Sequence, residues 1–195
     1  MIPPLGPDNG DEAVRTSRRS GDAMVFLVLY LTGLLSAAAH ATLRRSRLTS
    51  AQRVEMFLLY QFAFSFGLLG LVGFAGHSLN PEPTAALIGW SAHPQFQFEL
   101  GAAELGWAIA SFLCLYLRNK YYWLGVTISP AVMFISAAIL HVQEATAGNL
   151  APYNVGVIAP DLLVPLTVVG LLVTHFRQSR NQTGAGVAVR PEHLA

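Results

Sequence analysis

Three long stretches of this chain, residues 24–43, 56–98 and 121–176, contain no lysine or arginine. A helix needs about 20 mainly apolar residues to cross the hydrocarbon of a bilayer, and a cation at its centre is costly. The gaps therefore decide the fold class, because each is long enough to enter lipid once or twice. Composition agrees: 53% of the 195 residues are hydrophobic and 12% charged, against roughly a quarter charged in a soluble domain. The expected fold is all-α, a polytopic membrane helix bundle of about five transmembrane helices. The lipid bilayer is its first partner. A net charge of +1, with cations confined to short connections, excludes a nucleic-acid partner. The single cysteine, Cys114, forbids an intramolecular disulfide and reads as a small buried residue.

Local signals divide the chain into a disordered N-terminal tail (1–22), a transmembrane bundle (23–176) and a disordered cytoplasmic tail (177–195). Arg18-Arg19 before the first apolar run has the look of an export signal, but Arg44, Arg45 and Arg47 follow that run. Early positive charge opposes export, so the run is read as a retained helix, 23–43. Thr49 with Gln52 three residues on is a capping-box start for a second helix, which runs to residue 75. In it Gly67, Gly70 and Gly73 recur every third residue, a pattern that lets membrane helices approach closely. The middle of residues 76–97 is too short to span, so this connection is expected to lie in the interface or fold over the bundle, with Trp90 at headgroup depth.

The third span, 95–117, carries two stripes of small residues, each holding a carboxylate: Glu99-Ala103-Gly106-Ala110 and Gly101-Glu104-Ala108-Ser111. If both avoid lipid, this helix sits at the bundle centre. Tyr121, Tyr122 and Trp123 mark re-entry into lipid, Pro130 predicts a kink, and Gly148 has the place of a left-handed C-cap for a fourth helix. A fifth helix follows the 149–156 turn and ends near residue 176. Pro160 and Asp161 suit its first turn; an earlier start would make Pro165 free the Asp161 carbonyl from its usual donor.

Lysine and arginine number four in 44–53, none in 76–97, two in 118–120, none in 142–155 and three beyond 176. By the positive-inside rule this unbroken alternation puts the C-terminus in the cytoplasm and the N-terminus outside. Arg15, Arg18 and Arg19 oppose that assignment and are offset by four nearby acids. Asn181-Gln182-Thr183 then lies on the wrong side for glycosylation.

The topology gathers polar residues in the outer half. Glu82, Glu99, Glu104, Glu144 and Asp161 lie there with His77, His93 and His141, without a lysine or arginine. Five carboxylates beside a low-dielectric wall cannot all be ionised cheaply. Either some hold protons, or a protonated histidine or a bound cation balances them, and an anionic ligand is disfavoured. The densest part, 141–161, joins His141 and Glu144 on one helical face to Asn149, Asn154 and Asp161 across a Gly- and Pro-marked turn.

Gly89-Trp90, the Phe96-Gln97-Phe98-Glu99-x-Gly101 opening of a span, His141, then Gly148-Asn149-x-Ala151-Pro152-x-Asn154-x-Gly156 and Asp161 resemble the signature of a family of small multi-pass bacterial and archaeal membrane proteins of unknown function. The resemblance covers about residues 53–176. It implies an inner-membrane protein with Trp90, Gln97, Glu99, Gly101, His141, Asn149, Pro152, Asn154 and Asp161 as signature positions, and implies no activity. An extra Gln95 after Pro94, and Tyr153 in place of a small residue, depart from the pattern.

Three functional classes fit. In one, the polar cluster of Glu99, Glu104, His141, Glu144, Asn149, Asn154 and Asp161 is a structural network, and the chain is an accessory subunit of a membrane complex or a homo-oligomer. In another, the cluster binds a divalent metal through His141, Glu144, Glu99 and Asp161, or handles a small cation or a proton with His141 as base or shuttle. A transporter is the third, opposed by the lack of an internal repeat. A structural network should pair every carboxylate with donors, whereas a binding site should leave oxygens and an imidazole facing one space.

Overall fold

The computed structural model describes the backbone of residues 9–187 and the side chains of 24–181. All of its regular structure is helical: α1 (Asn9–Leu43), α2 (Ser50–Leu79), the short α3 (Pro81–Ile88), α4 (Pro94–Leu113), α5 (Lys120–Thr146) and α6 (Ile158–Val187), the last entered through a helical turn, Pro152–Gly156. Parts of the two expected disordered tails, 1–8 and 188–195, lie outside the described residues. Within them the backbone of 9–22 and of 177–187 is helical.

Caps set the helix ends. Thr49 Oγ1 accepts from the Gln52 amide at 3.2 Å while Gln52 Oε1 accepts from the Thr49 amide at 2.9 Å, the reciprocal box read in the sequence. Asn119 Oδ1 accepts from the amides of Tyr121 and Tyr122 and starts α5. At the far end of α5, Gly148 has φ +105°, and the Asn149 amide reaches back to the Glu144 carbonyl at 2.9 Å. That is a Schellman closure, which only glycine enters without strain. The α5 helix runs unbroken through Pro130.

Among the described residues four helices are long and apolar enough to cross a membrane: Met24–Leu43, Ser50–Leu79, Lys120–Thr146 and Pro152–Asn181, with mean hydropathies from 1.8 to 2.1. The sequence reading has five. The difference is α4, which has a span's length at 20 residues but is less apolar, because Gln95, Gln97, Glu99 and Glu104 fall within it. α2 is also longer than expected, reaching Leu79 through two π-helical stretches, Phe62–Leu68 and Ala75–Leu79.

The helices pack in two close pairs. α5 lies along α6, and α4 lies along α2, with α1 laid across α2 and the 152–156 turn. The glycines of α2 make the second pairing possible. A methyl on Gly67 would stand 2.8 Å from the Phe112 ring, one on Gly70 would meet Trp107 Nε1 at 2.7 Å, and one on Gly73 would run into the Glu104 carboxyl group. Between the pairs, Phe62, Phe66, Trp123, Phe134, Val164 and Val168 form the buried core. Large apolar residues such as Leu35, Ile109, Val132 and Leu166 cover the outer faces, the pattern of helices solvated by lipid rather than water.

One expectation fails at α4. Only the Gly101-Glu104-Ala108-Ser111 stripe is buried. Glu99, Ala103 and Gly106 are exposed, and nothing lies within 4 Å of a methyl built on Gly106. The helix therefore has one packed face and sits at the side of the bundle. Its two stripes are alike in residue size, and only the one opposite the α2 glycines finds a partner.

Candidate functional site

Between α2, α4, α5 and the start of α6 lies a cavity of about 240 Å³, roofed by Ile88 and Trp90 from the end of α3. Its acids and histidines are Glu104, Asp161, His77 and His141, Tyr153 lines it as well, and no lysine or arginine does among the described residues. The walls are aromatic, with Phe26, Trp90, Phe96, Trp107, Phe134 and Tyr153 surrounding the acids.

Each polar group is held from a different element. Asp161 sits in the first turns of α6, 3% exposed, with its amide bonded to the Val157 carbonyl. The helix begins before Pro165, so the Asp161 carbonyl lacks its usual donor and adds an acceptor beside the carboxylate. His141, 6% exposed, presents Nε2 to Asp161 Oδ2 at 3.9 Å, a facing pair too long for a hydrogen bond. The other ring nitrogen, Nδ1, is 2.7 Å from Asn154 Oδ1. Since Asn154 Oδ1 can only accept, Nδ1 carries a proton there, and in the neutral ring Nε2 is left as an acceptor. Trp90 lies over the imidazole, with ring centroids 5.6 Å apart and planes 16° from parallel.

Asn154 is fully buried and fixes this arrangement. Its amide group donates to the Asn149 carbonyl at 2.9 Å and to the His141 carbonyl at 3.3 Å, tying the 149–156 turn to α5. Asn149 in turn donates to the Ile88 carbonyl at 3.0 Å and to Glu144 Oε2 at 3.4 Å. Gly89 admits that contact, since a methyl there would stand 2.6 Å from Asn149 Oδ1, and its φ of +84° disfavours any side chain. The turn, the roof and the end of α5 are thus one hydrogen-bonded unit.

Glu104 belongs to no such unit. Its carboxyl packs over Gly73, and Oε2 is buried without a hydrogen-bond partner. Asp161 of α6 lines the same cavity, so the two acids share one low-dielectric space. His77, in the second π-helical stretch, is hydrogen-bonded through Nδ1 to the buried Gln97 side chain of α4. Trp107 Nε1 and Trp90 Nε1 are buried without partners as well.

The expected cluster therefore divides. His141, Asn149, Asn154 and Glu144 form a connected network, and Glu104 and Asp161 face the cavity. Glu99 is exposed on the outer face of α4 and belongs to neither. Among the described residues no three His, Cys, Asp or Glu side chains group closely enough to hold a metal ion. The metal set of His141, Glu144, Glu99 and Asp161 is thus not assembled: Glu144 turns to Asn149, Glu99 faces away, and only His141 and Asp161 meet. Sequence reasoning had placed Trp90 at the headgroups and left His77 in a loop, and it passed over Trp107 and Phe134. Gly73 carried the missing signal, because a glycine opposite Glu104 leaves room for a carboxyl group.

No curated protein and no solved structure matches the chain. A family model does match, over residues 23–181, and with most of its length covered the chain belongs to DUF6790, a family of unknown function.

Proposed function

We propose that this is a multi-pass plasma (inner) membrane protein that binds a small organic cation inside the bilayer, with Glu104 and Asp161 as its counter-charges. One observation carries the reading: two acids, each more than nine-tenths buried, line one aromatic cavity to which no lysine or arginine contributes among the described residues, and Glu104 Oε2 there has no hydrogen-bond partner. An uncompensated carboxylate in such surroundings is expensive, and a bound cation removes that cost. Aromatic walls suit an ammonium group, which ring faces attract and which needs no inner shell of three ligands. At 240 Å³ the space lies just below the roughly 300–1,000 Å³ of clefts for drug-sized ligands, so the ligand is small. His141, fixed by Asn154, faces Asp161 with Nε2, so a ring protonated at both nitrogens could pass a proton toward it.

Five crossings with the N-terminus outside belong to the same proposal, and parity supports the fifth. Arg118, just before α5, bonds Glu55 near the start of α2 at 2.9 Å, and Gln178 of α6 bonds Ser50. These contacts bring the starts of α2 and α5 to one end of the bundle. α2 ends at the opposite face, so the chain must return through α4 before α5 begins. At about 1.5 Å per residue, its 20 residues cover about 30 Å.

The competing reading, a structural network in a membrane-complex subunit, rests on the Asn149–Asn154–His141 hydrogen bonds. Titration of the purified protein in lipid nanodiscs with tetramethylammonium, read by tryptophan fluorescence, separates the two. Trp90 and Trp107 line the cavity, whereas Trp123 lies in the core with its Nε1 bonded to the Leu117 carbonyl. A saturable change lost in Glu104→Gln and Asp161→Asn is expected. No saturable change in the unaltered protein, with both variants less heat-stable, would sink the binding reading in favour of the structural one.

A further inference from the structure

A second concavity lies on the opposite side of the α5–α6 pair. It is an open groove of about 540 Å³, floored by Thr127 and Ala131 of α5 and edged by Ile128, Val132 and Val173. Its lining is apolar along its length, and then at one end Arg177 and Arg180 enter it. Lys120 stands at the same end, its Nζ 5.3 Å from the centroid of the Phe176 ring and 5.5 Å from that of Tyr121. We propose that this groove is a binding site for one anionic phospholipid, with an acyl chain along α5 and α6 and the phosphate held by Arg177 and Lys120.

Three observations favour that occupant. The first is length: from Leu124 to Ile135 the groove follows α5 for eleven helical steps, roughly 17 Å at 1.5 Å per step. One leaflet contributes about half of a 30 Å hydrocarbon core, so the groove is as deep as one leaflet. The second is charge. The end of the bundle where α1, α4 and α6 finish carries Arg44, Arg45, Arg47, Arg53, Arg118, Lys120, Arg177 and Arg180, and Glu55 is the one acid there among the described residues. Arg118 already occupies Glu55 at 2.9 Å. The third is the ring pair at the groove mouth, Tyr121 against Phe176 with centroids 5.7 Å apart, the kind of aromatic placement that sits at headgroup level. A second copy of the chain, inserted in the same orientation, would bring its own basic end against this one, so charge argues for an anion instead.

The test is native mass spectrometry of the full-length protein released from mixed micelles, with phosphatidylglycerol competing against phosphatidylcholine of identical chains. Saturable retention of one phosphatidylglycerol, at least tenfold preferred, is expected. Removing an interfacial cation weakens anionic-lipid binding about fivefold, so Arg177→Gln with Lys120→Gln should erase most of the preference, and Arg177→Lys should keep it. Arg177 is exposed, so its replacement leaves the packing alone. Arg118→Gln, which removes a cation outside the groove, should leave the preference intact. Equal retention of the two lipids, a preference untouched by the double variant, or a lipid-free dimer would each overturn the proposal.

Discussion

Asn154 shows how one residue can hold a site without touching a ligand. Its side chain spends one acceptor on the imidazole and two donors on carbonyls of different elements. Replacing it with alanine strands a buried ring nitrogen and loosens the 149–156 turn, and each such loss costs about 1–3 kcal/mol. Asn154→Ala should therefore lower stability by about 2–4 kcal/mol in thermal unfolding. Glu144 sits in the same network, but its bond to Asn149 is long at 3.4 Å and the side chain is half-exposed. Glu144→Gln should change stability by less than about 0.5 kcal/mol. Equal effects from the two would mean that the network is centred elsewhere than on Asn154. His141 and Asn154 could be read as polar residues flanking a turn, but their bond could not, since thirteen residues separate them. Trp90 was harder still, because tryptophan in a polar connection reads as an interfacial anchor until the α3 turn is seen to lay it over His141.

At the scale of elements, the pairing of α2 with α4 rests on glycine. Gly70 and Gly73 face α4 at distances that leave no room for a methyl, whereas Gly106, on the outer side of α4, faces open space. Overpacking a close helix contact costs about 1–3 kcal/mol. Gly70→Ala should thus destabilise by that amount, and Gly106→Ala should be neutral or slightly stabilising, since alanine favours helix. Unfolding in detergent measures both, and a cost at Gly106 equal to that at Gly70 would show that the outer face of α4 is packed. The glycine spacing in α2 was legible because close approach needs small residues at helical intervals. The buried stripe of α4 was not, because both of its faces offer small residues and a glutamate, and only the position of a neighbour decides between them. The same ambiguity put Glu99 with the site and drew α4 to the centre. Capping chemistry, by contrast, is local, so Thr49-Gln52 and Gly148 were readable within four residues of chain.

For the whole molecule, the two ends of the bundle differ in kind. One carries eight cations against Glu55; the other carries Glu82, Glu99 and Glu144 with no lysine or arginine in residues 76–97 or 142–155. Short cationic connections stay on the cytoplasmic side during insertion, and acids contribute little to that choice. The bias is carried by the 44–53 and 118–120 connections and the start of the C-terminal segment, all short enough for the rule to apply. In the proposed topology the cavity would open toward the outer half of the bilayer and the basic groove toward the inner leaflet, so a cationic ligand and an anionic lipid would meet opposite faces of one bundle. Single cysteines in a Cys114→Ala background test this directly, since Cys114 is fully buried and the probes need exposed sites. Leu150, 72% exposed in the turn after α5, should as Leu150→Cys react with a membrane-impermeant maleimide on intact cells. Tyr116, 81% exposed between α4 and α5, should as Tyr116→Cys react only after the cells are permeabilised. The reverse pattern would invert α5, either with the whole bundle or because α4 does not cross. Labelling of both positions from the same side would remove α5, the one long helix between them, as a crossing.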